Sequence, residues 1–400
     1  MKCGKEMSDI GLIHDGAVGV KDGYIVFVGL SSDVDENRAD RVIDGKNKTV
    51  TPGFVDSHTH LVFSGSREHE FSLRNAGASY AEIHQSGGGI NNTVKATRNA
   101  SKEELVRSAL LRLDTCLGFG TTTVEIKSGY GLTFEHETKM LEVIQELREE
   151  HVLDIVPTCL GAHTVPFDYM DRRAEYIAML QEELIPYVAE RRLAEFVDVF
   201  CEEGAFDIEE SRLILQCAVN NGLDVKVHAD QLSPLGGSRL AAEFGATSAD
   251  HLDHLTEEAI AAMKRSGTVA VVLPGVSLFL DLPMADARRL VEEGLPVAIA
   301  TDANPGSCMS ENIQLMMTVA GTMMHLSVEE IFTAVTLNAA AALKRSDTLG
   351  SIEVGKQADL LIFDVPSYEM IPYHMGVNHL SRVVKRGRIV WNAKQERVNG

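Results

Sequence analysis

Eight short runs rich in β-branched and apolar residues, each followed by a stretch with helical spacing, constrain this chain more than any other feature. In order they read PGFVDSHTH, GTTTVEIKS, DIVPTCLGAH, FVDVFCEEG, LDVKVHAD, ATSADHL, GTVAVVLPG and PVAIATDANPG. Strands that alternate with helices must pair in parallel, because each helix carries the chain back to the end where the last strand began. Runs such as VAVVLP are apolar on both faces, as strands are when helices cover one side and a packed interior fills the other. Eight such units predict an α/β fold, a closed (β/α)8 TIM-type barrel, with an open doubly wound sheet as the alternative. Ser101 with Glu104, Ser327 with Glu330 and Asp207 with Glu210 have the spacing of capping boxes, and Asn221-Gly222 supplies a stop.

The two ends have a different texture. GAVGVKDGYIVFVG and RVIDGKNKTVTPG near the start, and GSIEVGKQADLLIFDV and VVKRGRIVWN near the end, read as short strands broken by Gly and Asp-Gly, the pattern of hairpins. A small β-sandwich domain formed from both chain termini is expected, residues 1–52 and 346–400, around a barrel at 53–345. The 400 residues carry 37 Lys and Arg against 58 Asp and Glu, a net charge of −21 that repels phosphate backbones and anionic membranes. Neither nucleic acid nor membrane is an expected partner. No run is apolar enough to span a bilayer and the start lacks a signal core, so a cytoplasmic protein is expected. Six scattered cysteines without a CxxC read as reduced thiols rather than a disulfide or zinc framework.

In a parallel barrel the reactive groups belong at the C-terminal strand ends. There the sequence places His58 and His60, then Lys127 and Tyr130, His163, Glu202 and Glu203, His228, His251 and Asp302. Residues i and i+2 of a strand face the same way, so His58 and His60 can both enter the barrel axis and bind one ion through neutral nitrogen. His228 and Asp302 can complete an N₃O set suited to one catalytic zinc or ferrous ion. A lone HxH more often marks two hydrogen-bonded histidines than a metal site; the fuller constellation favours the metal. Arg67, close to Glu68 and Glu70, can equally be an ordinary surface ion pair. Tyr130 and His163 can be rim residues with no contact to a ligand. Glu202, Glu203, His254, His374 and His379 read as structural.

PGFVDSHTH, VHADQ, SADHL and ATDANPG, in this order, resemble the amidohydrolase superfamily over essentially the whole chain. HTHLVFSGSREHEF, SGGGI, EIKSGYGL, GAHTVP, VFCEEGAF and PYHMGVNH are similar to the imidazolonepropionase family within it. That resemblance implies hydrolysis of the cyclic amide of 4-imidazolone-5-propanoate to N-formimidoyl-L-glutamate in histidine degradation, and a homodimer. It also implies metal ligands at His58, His60, His228 and Asp302, with zinc or iron as the ion and ionised water attacking the ring carbonyl. Arg67, Tyr130, His163, Gln231, Asn304, Gly306 and Ser307 match substrate or product contacts, and His251 a catalytic histidine beside Asp302. In such a site Arg67 offers a bidentate fork to the substrate's propionate. One position departs from the pattern: Gln231 stands where many deaminases, and some imidazolonepropionases, have glutamate, and an amide cannot serve as a general base. The departure weakens a nucleobase deaminase as the alternative enzyme and leaves the base open between Asp302 and His251. A third alternative, a metal-barrel scaffold without activity, is disfavoured because all four ligand positions are filled.

Overall fold

The computed structural model describes residues 1–35, 37, 39–77 and 88–393. Ser86 and Gly87 of the SGGGI motif lie outside them. Strands β1 (Gly16–Lys21) and β2 (Tyr24–Leu30) form a hairpin whose turn, Asp22-Gly23, has positive φ at both residues (52° and 85°), the backbone that Asp-Gly accepts at least cost. Strand β3 (Thr49–Pro52) then feeds the barrel.

The barrel strands are β4 (Phe54–Asp56), β5 (Thr121–Lys127), β6 (Asp154–Ala162), β7 (Phe196–Cys201), β8 (Asp224–Ala229), β9 (Ser248–His251), β10 (Val269–Val272) and β11 (Val297–Ile299). They pair in sequence order, every pair parallel. The first and last meet just beyond their ends, where Asp302 N donates to His58 O and His60 N donates to Ala303 O, both at 3.0 Å. The sheet is therefore closed by the segments that carry three of the expected metal ligands. Capping boxes start the helices Lys102–Gly118, Ile208–Asn220 and Val328–Val335, as the sequence predicts.

After the barrel, β12 (Leu360–Phe363), β13 (Leu380–Lys385) and β14 (Arg388–Asn392) join β3 in a four-stranded antiparallel sheet, in which Leu360 pairs with Pro52 and Phe363 with Thr49. Alternation along β12 sorts its side chains. Leu361 and Phe363 enter the main core, where Phe363 lies 6.0 Å from the ring of Phe54 at the foot of the barrel. Leu360 and Ile362 build a second core with Ile25, Ala358 and Val384, against the β1–β2 hairpin. Asp154, at the start of β6, ties this sheet to the barrel through Lys385 (2.7 Å) and Arg386 (2.6 Å).

The barrel interior departs from the apolar expectation. Strand β5 is buried throughout, yet Glu125 and Lys127 alternate with outward Val124 and Ile126. With Asp198 of β7, Lys226 of β8 and Asp250 of β9 they form a charge cluster wholly closed to solvent. Lys127 Nζ lies 2.7 Å from Asp198 and 2.9 Å from Glu125. Burial opposes its charge, but Asp198 and Glu125 hold it protonated. These bonds occupy Lys127 as the tie between β5 and β7.

Candidate active site

The barrel closure fixes the site. His58 and His60 leave β4 in extended conformation, and their rings sit 5.4 Å apart at the mouth. His58 Nδ1 is 2.6 Å from Asp250 Oδ2, and His228 Nδ1 is 2.9 Å from Asp198 Oδ2. The hydrogen bond to Asp250 sets the His58 tautomer, and the Asp198 carboxylate beside His228 Nδ1 favours the proton there, leaving Nε2 as the lone-pair nitrogen in both. Both Nε2 atoms, and Asp302 Oδ1, are buried and outside any hydrogen bond among the described residues. Leaving such atoms unpaired costs about 1–3 kcal/mol each, so they call for a shared partner.

A metal ion fits that requirement. Asp302 Oδ1 lies 3.3 Å from His60 Nε2 and 3.5 Å from His58 Nε2. Ligands about 2.1 Å from one tetrahedral centre stand roughly 3.4 Å apart. His58, His228 and His251 make a second close set, with ligating atoms all within 4.8 Å, so His251 borders the same space. The charge cluster below carries three carboxylates against two ammonium groups; with Asp302 the surplus is two negative charges, which suits a divalent cation. Asp302 (φ 49°) and His251 (φ 82°) both hold left-handed backbone, strain of the kind that collects where side chains are aimed at a site. Burial pushes the His251 imidazole down to about 3, and the His60 imidazole below its ordinary value despite Asp302. Neutral imidazole is the form that ligates.

The wall beside this cluster is built by the SGYGL loop after β5. Glu137, on the helix Phe134–Glu150, accepts from Gly129 N (3.1 Å), Gly131 N (2.8 Å) and Leu132 N (2.8 Å). Gly131 has to be glycine, since a Cβ there would lie 2.4 Å from backbone atoms of His136 and Glu137. The loop turns Tyr130 inward, 5.8 Å from the His60 ring, and burial keeps its phenol protonated. Gly129 O meets His163 Nδ1 at 3.0 Å, and the His163 ring stacks on His60 at 5.3 Å. Tyr130 and His163 thus face the cluster.

Across the mouth the loop after β11 carries Asn304, Gly306 and Ser307. Asn304 Oδ1 accepts from Gly306 N and Ser307 N, each at 2.8 Å, and its Nδ2 donates to Asp302 O and Ser307 Oγ, so its amide is spent on shaping this loop. Arg67 stands opposite, its guanidinium seated where a side chain on Gly306 would be. Gln231 is half-buried in the loop after β8, which Glu202 holds through Leu232 N at 2.8 Å. His254 donates its backbone N–H to Asp230 O, and His374 and His379 pair at 2.8 Å on the surface. Asp198, Asp250, Glu125 and Lys226 are not among the residues the sequence points to, and Glu70 stands out there only as a possible surface ion-pair partner of Arg67. The signal for Lys226 was its place two residues before His228, on the same face of one strand.

A closed parallel barrel with a His-rich, carboxylate-backed mouth defines a metal-dependent hydrolase, and the profile described as the amidohydrolase family matches residues 49–390. Curated relatives named imidazolonepropionase include those of Alkaliphilus oremlandii and Geobacillus kaustophilus, each 49% identical over 393 residues, 97% of this chain and 93% of the relative. The chain belongs to the imidazolonepropionases of the amidohydrolase family. Solved structures share the fold at low identity. A 5-methylcytosine deaminase from Klebsiella pneumoniae aligns with TM-score 0.74 at 18% identity, covering 94% of this chain and 95% of that one. An adenosine deaminase from Xanthomonas campestris with bound zinc aligns with TM-score 0.71 at 20% identity, covering 96% and 90%.

Proposed function

We propose that this chain opens the ring of 4-imidazolone-5-propanoate by hydrolysis of its cyclic amide, giving N-formimidoyl-L-glutamate, with residues 53–345 as the catalytic unit. The observation that carries the reading is the convergence of unpaired His58 Nε2, His228 Nε2 and Asp302 Oδ1 at a mouth faced by a half-buried arginine, in a chain 49% identical to imidazolonepropionases almost throughout. His58, His60, His228 and Asp302 would hold one zinc or iron ion, which supplies Lewis-acid polarisation of the carbonyl and acidifies water. Arg67 binds the propionate, which sets the ring at a fixed depth. Tyr130 donates a hydrogen bond that orients it, His163, whose Nδ1–H is given to Gly129 O, accepts one through Nε2, and Gln231 can hold the imidazolone edge with its amide. His251, neutral and beside the cluster, is placed to hydrogen-bond the carbonyl oxygen as charge develops there. Asp302 takes a proton from the attacking water and returns it to the ring nitrogen as the carbon–nitrogen bond breaks. Water adds across that bond, so the product gains a second carboxylate.

Following the ultraviolet decay of the imidazolone with purified protein, before and after chelation and remetallation, tests the whole reading. Decay that disappears with the ion and returns with it supports the assignment; decay at the spontaneous rate in metal-loaded protein overturns it.

A further inference from the structure

Arg67 is not a free side chain at the rim. It is the N-cap residue of the helix Glu68–Asn75, and only 14% of its side chain reaches solvent. Its Nε and Nη2 lie 2.9 Å and 2.8 Å from one oxygen, Oε2, of Glu70. The other oxygen, Oε1, accepts from Gly89 N at 3.0 Å and Asn92 Nδ2 at 3.3 Å, at the start of the helix Ile90–Asn99. Glu70 is itself buried. On the far side of the guanidinium, a Cβ on Gly306 would lie 2.0 Å from Nη1. The head is therefore held by a carboxylate along its Nε–Nη2 edge and rests against the bare backbone of Gly306 beside Nη1.

We propose that Glu70 is a positioning residue for substrate recognition: it takes the Nε–Nη2 edge of Arg67 and turns the Nη1 side to the mouth, where it receives the carboxylate of the substrate side chain. This rests on the proposed function. The physical reason is that an arginine has two usable edges, and a bidentate grip on one leaves a single preorganised edge for a ligand. Preorganisation lowers the ordering cost of binding. Because the fixed edge lies at a set distance from the His58, His60 and Asp302 cluster, it also selects the length of the acidic side chain that can reach it. Burial works against the Glu70 carboxylate, but Arg67, Gly89 and Asn92 outweigh it and hold its pKa below the ordinary glutamate value, so it meets Arg67 as an anion.

Glu70→Gln is an isosteric test with a clear chemical expectation. Among the described residues every hydrogen-bond partner of both carboxylate oxygens is a donor, so either flip of the amide sets N–H against N–H. The experiment compares 4-imidazolone-5-propanoate with its uncharged 5-ethyl analogue, using metal-loaded protein of verified metal content. For the acid, KM is expected to rise about tenfold or more with kcat within about threefold, while kcat/KM for the ethyl analogue stays within about threefold. In an Arg67→Ala background, Glu70→Gln is expected to change KM for the acid less than about threefold, since the group it positions is gone. If Glu70→Gln does not fold, Gly306→Ala displaces the same guanidinium from its other side and is expected to lose more on the acid than on the ethyl analogue. Equal losses on both substrates, or no change on either, overturn the role of Glu70. A wild-type protein that opens neither ring overturns the proposed function, and this inference with it.

Discussion

At the scale of single residues, the site works by giving each polar atom one task. Asp250 and Asp198 occupy the Nδ1 atoms of His58 and His228, which leaves both Nε2 atoms for the ion. His228→Ala or Asp302→Ala removes a ligand, so bound metal is expected to fall below about one tenth of an equivalent and turnover to vanish; elemental analysis of dialysed protein checks this, and an active, metal-free variant contradicts it. Arg67→Ala removes a charge-assisted bond of about 1.5–3 kcal/mol, so KM for the acid is expected to rise roughly 10- to 150-fold with kcat little changed. Steady-state kinetics decide it. Much of this level was legible: HxH on a strand and the histidines and aspartate at later strand ends pointed to the ligands. The carboxylates behind them were not, because Asp198 and Asp250 look like any strand-end acids until the barrel closes and turns them inward.

At the scale of elements, the loop after β5 shows how a helix start can shape a catalytic wall. Three backbone N–H groups of the loop converge on Glu137, and Gly131 packs flat against the first turn that follows. Gly131→Ala is expected to destabilise the protein by about 1–3 kcal/mol through overpacking, and to raise KM by withdrawing Tyr130. Thermal melts paired with kinetics test both parts. The capping boxes at Ser101, Asp207 and Ser327 were readable because they are local, three residues from cap to partner. Glu137 was not readable as a loop anchor, since its partners are set by how the loop folds back over the helix start.

At the scale of the whole molecule, Asp154 joins β6 to the terminal sheet. Burial pushes its pKa up, but Lys385, Gln357 and Arg386 outweigh that and hold it below the ordinary aspartate value of 3.8. A depressed carboxylate contributes stability that is complete above its unfolded value and is lost as pH falls through the folded one. The stability gap between wild type and Asp154→Asn is therefore expected to be flat from pH 8 to about 5 and to shrink as pH falls below about 4. Melting temperatures across that range test it; a gap that grows on acidification contradicts the assignment.

The sequence by itself determined the eightfold alternation, the parallel pairing of the strands, the placing of polar residues at strand ends and the family, because each is written in local periodicity or in long motifs. Only the tertiary structure decided three things. His58 O and Asp302 N close the barrel across more than two hundred residues. A buried cluster of Glu125, Lys127, Asp198, Lys226 and Asp250 lies beneath the metal ligands, where period-two alternation looks the same as in an apolar strand with a polar outer face. And Arg67, which sequence alone could equally read as a surface ion pair, is held by Glu70 and Gly306 as a half-buried fork. Each depends on groups far apart in the chain sharing one closed interior, and neither periodicity nor spacing records which distant atoms will meet there.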